Sequence, residues 1–193
     1  GGFASLPRRE HREPLTLLAF GGSQGSRVLN RALVAALPSL PGPGRLRLVH
    51  QTGTVMRDEV EAAYRAAGRE AEVVAFLDDM ERRFAEADLV LSRSGATTCA
   101  ELTVAGKAAI LVPFALSADD HQRTNARALE KAGAARVLEE EGLSGESLAA
   151  AVRALIAEPG RIAAMEEAAR RIGRPDAAAR VAELLLGAEG TRA

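Results

Sequence analysis

The chain has 193 residues, is 47% hydrophobic and carries a formal net charge of −1, a balance that suits one globular domain with a sizeable core and offers no basic excess for nucleic acid. Its one cysteine, Cys99, excludes an internal disulfide and a cysteine metal cluster, and suits a reducing cytoplasm. No apolar run approaches the roughly 20 residues needed to span a bilayer, and the opening GGFASLPRREHREP lacks the apolar centre of a signal peptide.

In chain order, residues 1–14 read as a polar linker, 15–187 as one domain and 188–193 as a tail. Strand-like apolar runs fall at 15–20, 46–51, 72–76, 89–92, 109–112 and 135–138. Helical patterns lie between them. Val28, Leu29, Ala32, Leu33, Ala36 and Leu37 keep one face apolar, and further helices are expected over 54–67, 79–86, 96–105 and 120–132. Pro38–Gly44 reads as a short stiff loop. This alternation predicts an α/β, Rossmann-like, doubly wound parallel sheet of about six strands with right-handed crossovers. Beyond 143 the strands stop. Leu148, Val152, Leu155 and Ile156 predict one C-terminal helix, and two more are expected at 160–172 and 175–186, the last opened by Pro175.

The first turn, in LLAFGGSQGSRVLN, joins a strand to a helix through Gly21, Gly22 and Gly25. A dinucleotide fingerprint would place a carboxylate at the end of the next strand, but His50 and Gln51 stand there. A P-loop would place a lysine after Gly25, and there is none. What remains is a set of bare amides with Ser23 beside a helix start, able to hold an anion. Taken alone, the turn is slightly better explained by close strand–helix packing.

A second turn, LVLSRSGATTCAE, repeats the arrangement with Ser94 and Gly95 before a helix starting at Ala96. Ser94 is a candidate helix cap. Thr98 and Glu101, three apart, share a flank of that helix, whereas Cys99 and Leu102 point to the core. Two such turns on one sheet edge suit a diphosphate, and Glu101 suits accepting hydrogen bonds from sugar hydroxyls. A third loop, PFALSADDHQRTN, places His121 and Gln122 toward the same edge, although Asp119 and Gln122 also fit a capping box. A fourth piece, FLDDM, leaves the Leu77 backbone at a strand exit. There Asp78, with Glu81 three residues on, reads as a helix cap. His11 and His50 show no obvious partner. No Asp-x-Asp is aimed at the cleft, so neither a metal nor another cofactor is expected.

Together, GGSQGSRVLN, FLDDM, SRSGATTCAE and DDHQRTNA, in this order and spacing, resemble the MurG family of bacterial glycosyltransferases. The resemblance covers nearly the whole chain but only the C-terminal half of the family's length. It implies one half of a GT-B fold, the half that binds UDP-GlcNAc for inverting transfer of GlcNAc to a lipid-linked MurNAc-pentapeptide. Carried over by motif, Ser23 with the amides around Gly22 faces the diphosphate. Leu77 contacts uracil, with Phe76 and Met80 lining that pocket. Ser94, Gly95, Ala96, Thr97 and Thr98 serve the phosphates, Glu101 the ribose, and His121 and Gln122 the GlcNAc hydroxyls. The implied partners are UDP-GlcNAc, an N-terminal acceptor-binding domain and, through it, the undecaprenyl-linked acceptor. The implied location is the inner face of the plasma membrane, as a peripheral enzyme. The family's candidate general base belongs to that other domain, so no catalytic residue is assigned in this chain, which by itself should bind but not transfer. Other readings stay open: a separate catalytic subunit of a two-chain UDP-GlcNAc transferase, or a nucleotide-sugar-binding module without chemistry. A UDP-GlcNAc epimerase of GT-B shape fits the motifs less well.

Overall fold

The computed structural model describes residues 3, 6, 10–117, 120–158 and 160–176. Six parallel strands form one sheet: β1 (Leu15–Phe20), β2 (Leu46–Gln51), β3 (Glu72–Val74), β4 (Leu89–Ser92), β5 (Ala108–Leu111) and β6 (Ala135–Val137). Their order is β3-β2-β1-β4-β5-β6. This is the strand order of a Rossmann-type sheet, whose connections change direction between β1 and β4. All six strands end on one edge, so every loop that follows a strand lies there.

Seven α-helices are found among the described residues: α1 (Arg27–Ala36), α2 (Arg57–Ala66), α3 (Met80–Glu86), α4 (Ala96–Ala105), α5 (His121–Lys131), α6 (Gly145–Ala157) and α7 (Arg161–Ile172). They cover both sheet faces. Strand side chains alternate in direction, so Leu15, Leu17 and Ala19 join α1, α2 and α6 in one core, while Leu18 and Phe20 join α3, α4 and α5 in the other. The α7 helix serves both, through Ile162 and Met165 on one side and Ala168 and Ala169 on the other. Burial on both faces explains why the strands read as continuous apolar runs rather than alternating ones. Each fully buried leucine contributes about 1.5–3 kcal/mol by leaving water.

Strands β1, β2 and β4 occupy the predicted residues. The edge strands are shorter: β3 stops at Val74 and β6 at Val137, because an edge strand pairs on one side only. Pro38–Gly44 is not wholly loop, since Leu37–Ser39 closes α1 as a 3-10 turn. The helix expected over 148–156 starts earlier, at Gly145. There Ser144 and Ser147 cap each other reciprocally. Pro175 lies in a turn, and most of the helix expected at 175–186 falls outside the described residues, as do Asp119 and the 188–193 tail.

Three capping expectations are corrected. The residue that opens α4 is Gly95, with no side-chain cap, while Ser94 is buried and its hydroxyl donates to the Gln122 carbonyl at 2.8 Å. The residue that opens α3 is Asp79, not Asp78, and its carboxylate pairs with Arg82 and Arg83 instead of the helix amides. Asp120 opens α5, also without a side-chain cap, and the Gln122 Oε1 accepts from the Phe114 N–H at 3.1 Å.

Both histidines read as partnerless are partnered. His11, in the entering segment, places Nδ1 2.7 Å from Asp88 and Nε2 3.3 Å from Glu166. The entering segment is thus seated on the sheet's opposite edge. His50 is buried between Asn30 (3.1 Å) and Tyr64 (3.2 Å). Among the described residues, no helix is long and apolar enough to cross a membrane, and no group of three His, Cys, Asp or Glu is placed to hold a metal.

Candidate functional site

Where the sheet's connections diverge, the turn after β1 and the turn after β4 face each other across a cleft of ≈560 Å³. The glycine turn, the start of α4, the loop after β5 and the segment after β6 all contribute to it.

Packing accounts for part of the glycine turn. A Cβ at Gly21 would overlap the backbone of Ser26, and one at Gly25 (φ 75°) would overlap the Thr52 carbonyl. Those two glycines let strand, turn and helix close on one another. Beneath them a polar chain locks the turn to β2. The Asn30 Nδ2 donates to the Thr52 carbonyl at 2.9 Å, so its Oδ1 is left to accept from the His50 Nε2–H. The Nδ1 of His50 is then the acceptor for the Tyr64 hydroxyl. Burial depresses His50 to a pKa of about 4, which keeps the ring neutral as this pattern requires.

Gly95 differs. Its φ of −58° suits any residue, and a Cβ there would meet nothing within 4 Å. Neither backbone conformation nor packing demands a glycine. Its effect is to leave the first turn of α4 bare. Ala96 and Thr97 are exposed, and no side chain caps their N–H groups. A helix N-terminus with open amides carries partial positive charge and binds anions. Two cationic side chains, Arg27 and Arg93, also line the cleft, against one carboxylate, Glu140.

The structure brings Gly22, Gly95, Thr98 and Gln122 together on the cleft wall. Ser23 does not share that wall. It lines an adjoining depression of ≈460 Å³ on the other side of the glycine turn, with Thr52, Thr54 and Val55. Ser94 lies beneath the surface and braces the α5 start. His121 is exposed at the first residue of α5, on the same edge but outside the cleft lining. Glu101 is half-buried one turn along α4, and desolvation raises its carboxyl above the usual range. At the β3 exit, Leu77 is buried in the α3–α5 core, Met80 packs against it, and Phe76 is 54% exposed. Neither the N–H nor the C=O of Leu77 pairs with another backbone group among the described residues.

Sequence reasoning passed over Arg93, Phe114 and Glu140. Arg93 donates to Glu140 at 2.7 Å and to the carbonyls of Val112 and Pro113 at 3.3 and 3.1 Å, and its guanidinium lies 5.3 Å from the Phe114 ring centre. A usable signal existed: Arg93 immediately precedes Ser94, and Glu140 follows the last strand, so both fall on the strand-exit edge.

Comparison with known proteins agrees with this geometry. Residues 16–181 match the model of the glycosyltransferase family 28 C-terminal domain. The chain belongs to this family. It is 49% identical over 179 residues to a UDP-N-acetylglucosamine--N-acetylmuramyl-(pentapeptide) pyrophosphoryl-undecaprenol N-acetylglucosamine transferase of Anaeromyxobacter sp. (strain Fw109-5), covering 92% of this chain and 47% of that relative. A transferase of the same name from Myxococcus xanthus (strain DK1622) is 49% identical over 173 residues, covering 89% and 45%. The crystal structure of Acinetobacter baumannii MurG superposes with a TM-score of 0.87 at 32% identity, covering 96% of this chain and 55% of that one. The family 28 domain described here therefore spans about half the length of the curated relatives it matches, and it has the Rossmann-like architecture of one half of a GT-B fold.

Proposed function

We propose that this family 28 domain binds UDP-GlcNAc as the donor half of an inverting glycosyltransferase that transfers GlcNAc to a lipid-linked MurNAc-pentapeptide. The observation that carries the reading is the bare start of α4, opened by a glycine that the fold does not require, facing the glycine turn across the point where the strand order diverges. The names of the relatives supply the sugar nucleotide and the acceptor class.

In this reading the amides of Ala96–Thr98 and the turn around Gly22 hold the diphosphate. Ser23 reaches it only from the neighbouring depression, so its part is smaller than the motif implies. The unpaired backbone of Leu77 reads the uracil edge, with the exposed Phe76 and with Met80 beside it. Glu101 accepts from the ribose hydroxyls, and Gln122, with His121, serves the sugar. An acceptor hydroxyl oxygen attacks the anomeric carbon, the bond from that carbon to the β-phosphate oxygen breaks, and its electron pair leaves with UDP. The charge that develops on UDP faces the α4 dipole, which stabilises it as it forms. The acceptor's proton goes to a base on a second half, which also carries the acceptor and seats the whole on the inner membrane face as a peripheral enzyme. Residues 1–14 then serve as the connection between halves, and 15–187 as the donor-binding unit.

Calorimetric titration of the chain with UDP, UDP-GlcNAc and ADP tests the reading. UDP and UDP-GlcNAc should bind, ADP should bind far more weakly, and chelation of divalent metals should change nothing. Equal binding of UDP and ADP would remove the uracil assignment at Leu77.

A further inference from the structure

Three loops meet on one ion pair. The Arg93 guanidinium leaves the β4 exit, takes up the carbonyls of Val112 and Pro113 at the β5 exit, and ends on Glu140 at the β6 exit. The same oxygen of Glu140, Oε2, accepts from the Ala115 N–H at 3.1 Å. One residue earlier, the Phe114 N–H donates to the Gln122 Oε1 at 3.1 Å, while the Phe114 ring stacks under Arg93. A backbone N–H can only donate, so this bond orients the Gln122 amide with its oxygen toward the Phe114 N–H. Gln122 lines the cleft, and its Nε2, with two N–H groups, remains as the donor end of the amide.

We propose that Glu140 is a positioning residue: with Arg93 it fixes the loop after β5 so that Gln122 presents N–H donors, and not its oxygen, to the bound sugar. The proposal rests on the donor-binding reading above. It assigns the group recognised by Gln122 as a hydrogen-bond acceptor, a sugar oxygen. Arg93 and Glu140 are 12% and 17% exposed, so solvent competes little for the pair. Burial works against the Glu140 charge, but the bonds from Arg93 and the Ala115 amide outweigh it and hold the carboxyl below its usual range.

Charge alone gives the opposite expectation. A carboxylate on the wall of an anion-binding cleft opposes a diphosphate, so its removal should tighten binding of both UDP and UDP-GlcNAc. Positioning predicts that Glu140→Ala weakens UDP-GlcNAc by roughly tenfold, the scale of one well-made hydrogen bond, with a much smaller loss or a gain for UDP. Glu140→Gln keeps an acceptor for Arg93 and Ala115, so it should restore most of the UDP-GlcNAc affinity.

The experiment is calorimetry of wild type, Glu140→Ala and Glu140→Gln with both nucleotides, alongside amide exchange by NMR in the unliganded chain. Exchange at Phe114 and Ala115 should rise at least several-fold in Glu140→Ala, with core amides such as Ile110 unmoved. Equal losses for the two nucleotides, tighter UDP-GlcNAc binding by Glu140→Ala, or faster exchange across the whole domain would overturn the proposal. A wild-type chain that binds neither nucleotide would refute the donor-binding reading itself, and that failure is recognised before any variant is compared.

Discussion

Two histidines at opposite ends of the sheet place opposite demands on pH. His11 bridges Asp88 and Glu166, and the hydrogen bond it donates to Asp88, then its contact with the Glu166 carboxylate, raises it to a pKa of about 9 against the pull of burial. Its stabilising charge is fully present below the unfolded value near 6.5 and fades as pH rises through about 9. His50, held neutral by burial with a pKa of about 4, costs stability as pH falls from 6.5 toward 4, because only the unfolded chain takes up the proton. Urea unfolding at pH 5, 6.5 and 9.5 should therefore give its highest midpoint near 6.5. His11→Gln should flatten the alkaline limb and leave the acid limb alone; an unchanged alkaline limb would show that His11 is not charged in the folded state. At pH 6.5 the same variant should cost about 1–3 kcal/mol, since two buried carboxylates lose a partner. Glu101 carries a ligand-side expectation. Its carboxylate is desolvated, and removing it relieves the fold, so Glu101→Ala should leave the melting temperature unchanged or higher. UDP-GlcNAc binding should weaken by about 1.5–3 kcal/mol if the carboxylate accepts from ribose, and 2′,3′-dideoxy-UDP should be insensitive to the change.

At the scale of elements, the two glycine turns look alike in sequence and separate cleanly in structure. Gly25 sits at φ 75° against the Thr52 carbonyl, so Gly25→Ala should destabilise by more than the ~1 kcal/mol normally associated with exchanging glycine and alanine. Gly95→Ala should leave melting unaffected, because its backbone is ordinary and the space beside it is empty. The added methyl stands at the mouth of α4, where the donor-binding proposal puts the phosphates, so UDP affinity should fall by roughly tenfold, about 1.4 kcal/mol. Unchanged UDP binding by Gly95→Ala, with melting intact, would move the phosphates away from this helix. The far end of α4 is set by Gly106, whose φ of 64° lets the chain turn back and Lys107 donate to the Leu102 carbonyl at 2.9 Å. The helix is thus positioned by its C-terminus and kept open at its N-terminus.

In the proposed reading, the whole molecule is one wall of a larger cleft completed by the acceptor-binding half. Its strand-exit edge carries the loops assigned to the donor, and the large apolar side chains of Val55, Phe76, Phe114 and Leu116 stand exposed along that edge. This chain alone should neither transfer GlcNAc to a lipid-linked acceptor analogue nor hydrolyse UDP-GlcNAc at a useful rate. General base catalysis contributes roughly 10²–10⁴-fold, and acceptor positioning contributes further. Of the three histidines, His11 is tied to Asp88 and Glu166 on the opposite edge, and His50 is buried and neutral. Release of UDP, assayed with and without a separately expressed acceptor-binding half, checks this. Turnover by the chain alone near the rate of a full-length enzyme would make His121 a candidate base.

From the sequence alone, the doubly wound sheet, the residues of β1, β2 and β4, and the four loops that cluster on one edge were legible. These elements are buried on both faces and bounded by turn residues, so local apolar pattern and local turn chemistry specify them. Partner choice was not legible. Ser94 and Gln122 each have the chemistry of a cap, yet they bond to groups 28 and 8 residues away, a carbonyl and an amide that the folded chain brings within reach. The partners of His11 and Arg93 lie 77 and 47 residues distant. A periodic pattern records which face of an element is buried, whereas a buried polar group must find a specific counterpart, and only the folded chain decides which one lies within reach.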